Sequence, residues 1–225
     1  MKTKRLPLLI ALICSGFLFG QNQKMNLGIQ GGPSATFLWG NSVLDPFDQI
    51  AANFSAGLTF QYHLNQTFSL YTDLAFARKG NKVAISLRDD QGYEVGKTDI
   101  HAVFEYLTLP LLARVSFGED IKFFVNGGPY FGFLLQQSFV QKAVGEYPET
   151  KTYNDDLFKT VDFGACVGIG LTIPIAKAIL FSIELRNNLG LMNISSEPVV
   201  NDDIIATNAT DLLVGFSYQF GRVYK

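Results

Sequence analysis

Phe54-Ser55-Ala56-Gly57-Leu58-Thr59-Phe60-Gln61-Tyr62-His63-Leu64 alternates without a miss. Phe54, Ala56, Leu58, Phe60, Tyr62 and Leu64 are apolar, while Ser55, Gly57, Thr59, Gln61 and His63 between them are small or polar. A period of two is the strand period, so the stretch is a β-strand with one apolar and one polar face. The same pattern recurs to the end of the chain, and the size of the polar-face residues says which way the apolar face points. Gly164, Cys166, Gly168, Gly170 and Thr172 lie opposite Phe163, Ala165, Val167, Ile169, Leu171 and Ile173. A soluble sandwich would alternate equally well, but it would carry Lys and Glu on its outward polar face. Compact polar residues suit the narrow inside of a small barrel, whose bulky face then meets an apolar solvent. The expected fold class is all-β, a closed antiparallel transmembrane β-barrel.

The pattern resolves into about eight strands, an even number as single-chain bacterial barrels have. They are read over residues 26–39, 50–64, 67–79, 101–117, 121–139, 159–175, 178–191 and 210–223. Asn65-Gln66, Gly118-Glu119-Asp120 and Ala176-Lys177 read as tight turns, whereas 80–100, 140–158 and 192–209 read as long polar loops. Short periplasmic turns alternating with long external loops put both termini on the periplasmic side. Inside the first long loop, Val83, Ile85 and Leu87 alternate ahead of Asp89-Asp90-Gln91-Gly92, which predicts a hairpin beyond the membrane.

At the N-terminus, Lys2, Lys4 and Arg5 precede the apolar run Leu6–Phe19, too short to span a bilayer and patterned as a cleaved secretory signal peptide. Cleavage is expected after Gly20, which divides the chain into a signal peptide (1–20) and one barrel domain (21–225). Removing three basic residues turns the 18 Lys+Arg and 20 Asp+Glu into 15 and 20. The mature chain is then acidic by five, which argues against nucleic acid as a partner. Cys166 alone remains after cleavage, so strand pairing and burial must hold the fold.

Tyr106-Leu107-Thr108-Leu109-Pro110-Leu111-Leu112-Ala113-Arg114 resembles the "YLEIPLLLK" strand of an outer-membrane β-barrel family abundant in Bacteroidetes, described as porin-like or PorT-like. Gly127-Gly128-Pro129-Tyr130-Phe131-Gly132 is similar to the "GxYxG" that follows in that family. The resemblance runs over essentially the whole mature chain and implies a small barrel in the outer membrane of a Gram-negative cell envelope. Thr108 stands where the family more often has Glu.

Strand parity turns Asp73, Arg114, Lys122, Asp162, Glu184 and Arg186 inward, with His63, Asn126 and Gln219. Buried charges must be paired or solvated, so these six are expected to form salt-bridge layers that plug the lumen; the alternative is a narrow gated ion path. Gly215, Tyr218 and Phe220 match the final-strand signal read by barrel-assembly machinery, which makes that machinery an expected partner beside outer-membrane lipid and envelope or secretion proteins.

The catalytic inventory is thin. His63 and His101 should lie at opposite ends of the barrel, and His101 with Asp99 and Ser138 lacks an elbow motif to mark a nucleophile. Gly164-x-x-x-Gly168-x-Gly170 lacks the strand-then-helix setting of a phosphate loop. Asn201-Asp202-Asp203, with Glu197 nearby, lacks the Gly and terminal Glu of a calcium loop. No catalytic, metal or cofactor residues are assigned. The expected function is non-enzymatic: an envelope anchor whose surface loops serve adhesion or protein contacts. A small porin or secretion component is the second class, and a membrane-embedded lipid hydrolase the third.

Overall fold

The computed structural model describes residues 24–40, 50–88, 93–141, 143, 149–153, 155–199, 201 and 203–220. The signal-peptide reading, Asp202 and the Asp89–Gly92 turn fall outside these residues. The strands are β1 (Lys24–Trp39), β2 (Ala51–His63), β3 (Phe68–Arg88), β4 (Glu94–Phe117), β5 (Lys122–Gln141), β6 (Thr150–Tyr153), β7 (Val161–Pro174), β8 (Ile179–Gly190) and β9 (Ala206–Phe220). All pairings are antiparallel, and the order β4-β3-β2-β1-β9-β8-β7-β5 is closed by a β4–β5 ladder. Eight strands therefore form a ring, and β6 is a short addition to the upper part of β5.

Closure pairs each of the eight ring strands on both sides, which a segment crossing hydrocarbon requires. The stagger can be read from the pairing. Phe123 pairs Leu171, then Ile183, Val214, Gly31, Ala56, Phe76 and Leu107 in turn, and Leu107 pairs Phe133. One circuit thus returns to β5 ten residues further along. Eight strands with that stagger tilt by about 40° and leave an interior just wide enough for side chains to fill.

The tight turns form where expected. Asn65 Oδ1 accepts the backbone N–H of Thr67 at 2.9 Å and of Phe68 at 2.7 Å, which closes β2 onto β3. Gly118 has φ +106° and a Cβ there would sit 2.2 Å from the Ile121 carbonyl oxygen, so the β4–β5 turn needs glycine. The outer wall follows the expected parity: Leu70, Leu111, Phe123, Leu185, Leu212 and Phe216 are all exposed.

Two differences from the sequence reading stand out. The two arms of the hairpin expected around Val83, Ile85 and Leu87 form, but as continuations of β3 and β4, which do not stop at 79 and 101: one ladder runs through Val83↔Ile100 and Ile85↔Thr98 to Arg88↔Glu94. The backbone pairing persists although polar residues interrupt the alternation. On β5 a bulge opposite Glu105/Tyr106 leaves Leu135 without a ladder partner. Parity therefore flips: Gly132 and Leu134 face the lumen below the bulge, Gln137 and Phe139 above it.

The external end is capped from inside. Leu38, Ala102, Phe104, Tyr106 and Ile194 form a buried apolar cluster, with Leu134, Phe139, Phe158 and Ile205 against it. Ile194 belongs to the segment after β8, which folds back over the mouth: Ile194 N–H donates to Ile205 O at 2.8 Å, and Lys159 N–H to Ile194 O at 2.7 Å.

Candidate functional site

The lumen below this cap is filled by two layers of ionic and hydrogen-bonded side chains. In the lower layer, Arg186 from β8 donates through Nη1 to Asp73 Oδ2 and through Nε to Glu184 Oε1, both at 2.6 Å. Arg114 from β4 donates through Nη2 to the other Glu184 oxygen at 2.9 Å. Asn126 donates to Glu184 Oε1 at 3.2 Å, and Gln30 to Asp73 Oδ2 at 2.9 Å. The Arg114 guanidinium lies between the rings of Tyr71 and Phe124, 3.8 Å from each centroid. Strands β1, β3, β4, β5 and β8 all reach this layer.

In the upper layer, Lys79 Nζ donates to Asp162 Oδ2 at 3.0 Å, to Tyr130 Oη at 3.2 Å and to Thr207 Oγ1 at 3.1 Å. Tyr130 and Thr207 also donate to Asp162 Oδ2, at 3.0 and 2.7 Å. Lys79 and Asp162 have side-chain exposures of 1% and 0%. Asp211 on β9 accepts from Ser34, and from Asn188 at 2.8 Å.

Glycine on β7 makes this filling possible. A Cβ on Gly168 would lie 2.5 Å from Asn126 Oδ1 and 2.7 Å from Glu184 Oε1, and one on Gly164 would lie 2.7 Å from the Tyr130 ring. The small polar face of β7 is thus the space that long side chains of β5 and β8 occupy.

The structure brings Asp73, Arg114, Asp162, Glu184 and Arg186 into these layers. Lys122 does not join them. It starts β5 beside the Gly118 turn, exposed at the periplasmic rim, where water solvates its charge. There it lines an open vestibule of about 610 Å³ with His63, Gln61, Glu119, Lys177 and Gln219. Above the vestibule, a cavity of about 20 Å³ lined by Asn26, Gln30, Gln61, Tyr71 and Arg114 has room for one water. Arg114 Nε and Asn26 Oδ1 have no protein partner.

Sequence reasoning missed Lys79, Asp211, Tyr71, Tyr130 and Thr207. The parity of Asp73, carried through Ala75 and Ala77, points to Lys79, but Gly80 and Asn81 after it have the pattern of a strand end. Gly215 faces inward, while Tyr218 and Phe220 stand on the outer wall at the periplasmic end, ring centroids 4.8 Å apart. Asp99 is bound by Lys82 at 3.0 Å, and Ser138 is buried. No cluster of three or more His, Cys, Asp or Glu residues suited to a metal occurs among the described residues.

A closed ring of eight tilted strands, apolar outside and packed with paired charges inside, defines a transmembrane β-barrel. The chain belongs to the outer membrane protein beta-barrel domain family, whose model matches residues 19–196, and the outer membrane is its location. Among solved structures, Neisserial surface protein A is similar at 12% identity and TM-score 0.49, over 87% of this chain and 97% of that one. The attachment invasion locus protein Ail of Yersinia pestis, in complex with sucrose octasulfate, aligns at 12% identity and TM-score 0.41, over 87% and 99%. Outer Membrane Protein W of E. coli aligns at 13% identity and TM-score 0.42, over 90% and 100%. No curated protein matches the sequence.

Proposed function

We propose that this protein is a non-enzymatic anchor, closed to solutes, that holds an external platform of strands and loops for adhesion or protein contacts at the cell surface. The observation that carries the reading is the lower charge layer. Asp73, Glu184, Arg114 and Arg186 reach across the lumen from β3, β4 and β8 and bond to one another at 2.6–2.9 Å. A path for ions would need these pairs to part, and an unpaired buried charge is strongly disfavoured. The platform is the β3–β4 ladder beyond Arg78, with β5 and β6 beside it. Final-strand recognition by barrel-assembly machinery, through Gly215, Tyr218 and Phe220, accompanies this reading.

Purified wild-type protein reconstituted in planar bilayers should show no steady conductance. A stable ohmic channel would overturn the anchor reading and favour the small-porin alternative. Exchanging residues 82–98 for a two-residue turn should leave the heat-modifiable gel shift of a folded barrel intact while abolishing surface adhesion.

A further inference from the structure

Arg114 and Asn26 are 4% and 3% exposed, and each keeps one polar atom without a partner among the described residues: Arg114 Nε, a donor, and Asn26 Oδ1, an acceptor. Their amino groups are already engaged. Arg114 donates through Nη2 to Glu184 at 2.9 Å, while Asn26 Nδ2 donates to Gln61 Oε1 at 3.3 Å and lies 3.1 Å from His63 Nε2. Desolvating a donor or an acceptor without giving it a new bond is costly, so buried polar atoms are rarely left bare. Both residues line the cavity of about 20 Å³ above the vestibule. One cavity thus brings together a buried donor and a buried acceptor that the protein itself does not satisfy.

Size, charge and bonding pattern together select the occupant. A water needs roughly 10–15 Å³ of such space, so about 20 Å³ takes one water and nothing larger. The lower layer is neutral, with the guanidiniums of Arg114 and Arg186 matched by the carboxylates of Asp73 and Glu184, and it offers an ion no net charge. An anion on the Arg114 N–H would also meet the Asn26 carbonyl oxygen, and a cation on that oxygen would meet the N–H. Water accepts from the one and donates to the other. Thr59, whose hydroxyl does either, lines the same cavity and supplies a third partner.

Access is from below. Gln61, Thr172 and Leu180 line both the cavity and the vestibule, so the open space at the rim leads to it. Above, the Arg114 guanidinium is held between Tyr71 and Phe124, and the Lys79 layer and the Ile194 cap follow. We propose that this cavity is a specific site for one water molecule, held by Arg114 Nε–H and Asn26 Oδ1 and exchanging with the periplasm through the vestibule. The barrel is then a blind half-pore, wetted from the periplasm as far as its lower charge layer. This deepens the closed-lumen reading and rests on it.

Solution NMR of the full chain with isotopically labelled arginine, folded in detergent micelles, tests this. The signal lost in Arg114→Lys assigns the Arg114 Nε–H. In wild type that proton should show a cross-relaxation peak to water and should exchange with solvent faster than the Arg186 Nε–H, which is bonded to Glu184 at 2.6 Å and serves as the internal reference. Asn26→Leu, which removes the acceptor and fills the space, should lose the water peak, with the heat-modifiable gel shift reporting that the variant is folded. Exchanging chloride for gluconate should leave the Arg114 Nε–H shift unmoved. A wild-type Arg114 Nε–H as dry and as slow to exchange as that of Arg186 would overturn the proposal whether or not Asn26→Leu folds. So would a water peak that persists in folded Asn26→Leu, or a chloride-dependent shift, which would make the occupant an anion. Planar-bilayer conductance reports closure separately: a silent bilayer with a dry Arg114 would sink the water site and leave the closed lumen standing.

Discussion

Arg186 shows what a buried ion contributes in a barrel. Its guanidinium satisfies two carboxylates at once, and both lie in a lumen with little water to replace it. Arg186→Leu leaves Asp73 without its cation and Glu184 with Arg114 as its one cation. Breaking a buried pair from one side costs about 3–5 kcal/mol, so urea unfolding from lipid vesicles should show a loss of that order. Flickering conductance should appear where wild type has none. Unchanged stability and a silent bilayer would mean that the lower layer is not what fills the lumen. Single residues were unevenly legible in the sequence. Asp73, Arg114, Glu184 and Arg186 follow from parity because alternation is a local property of a strand. Lys79 was hidden by the Gly80-Asn81 that follows, and Lys122 needed knowledge of where the rim lies. The aromatic sandwich around Arg114 joins β3, β4 and β5, which no local pattern relates.

At the scale of the element, β7 and its neighbours divide the work between faces. Outward Leu109 on β4 meets hydrocarbon, and Leu109→Arg should cost about 2–4 kcal/mol in the same unfolding measurement. Inward Thr172→Ser, near the vestibule, should cost far less; equal costs would refute the assigned facing. Gly168→Leu should be harsher than Gly127→Leu, because a Cβ on Gly168 meets Asn126 and Glu184 at once while one on Gly127 meets nothing nearer than 3.8 Å. Element type was legible for all eight ring strands, and facing wherever the two-residue period runs unbroken, which excludes β5 above its bulge. Ends were less so. The continuation of β3 past Gly80 depends on its ladder with β4, and the Leu135 bulge shifts parity through a partner strand. β6, four exposed residues, is a strand because β5 offers it an edge.

The whole molecule has two unlike ends, and this asymmetry predicts its orientation. Tight turns lie at one end, and the extended β3–β4 ladder and the Ile194 cap at the other. Cysteine introduced at exposed Glu149 or Tyr93 should react with an impermeant maleimide on intact cells, and one at Glu119 should react only after the outer membrane is opened. Cys166, fully buried, adds no background. Labelling at Glu119 alone would invert the orientation. The ring is also sealed by its two ends. β1 and β9 meet along a ladder that joins residues as distant as Met25 and Phe220, so β1 has no second neighbour until β9 has been made. Every intermediate is a curled sheet with two raw margins, which hydrocarbon rejects. Closure is therefore a test of completeness: a chain truncated before β9 leaves β1 and β8 each with an unpaired margin and cannot seal.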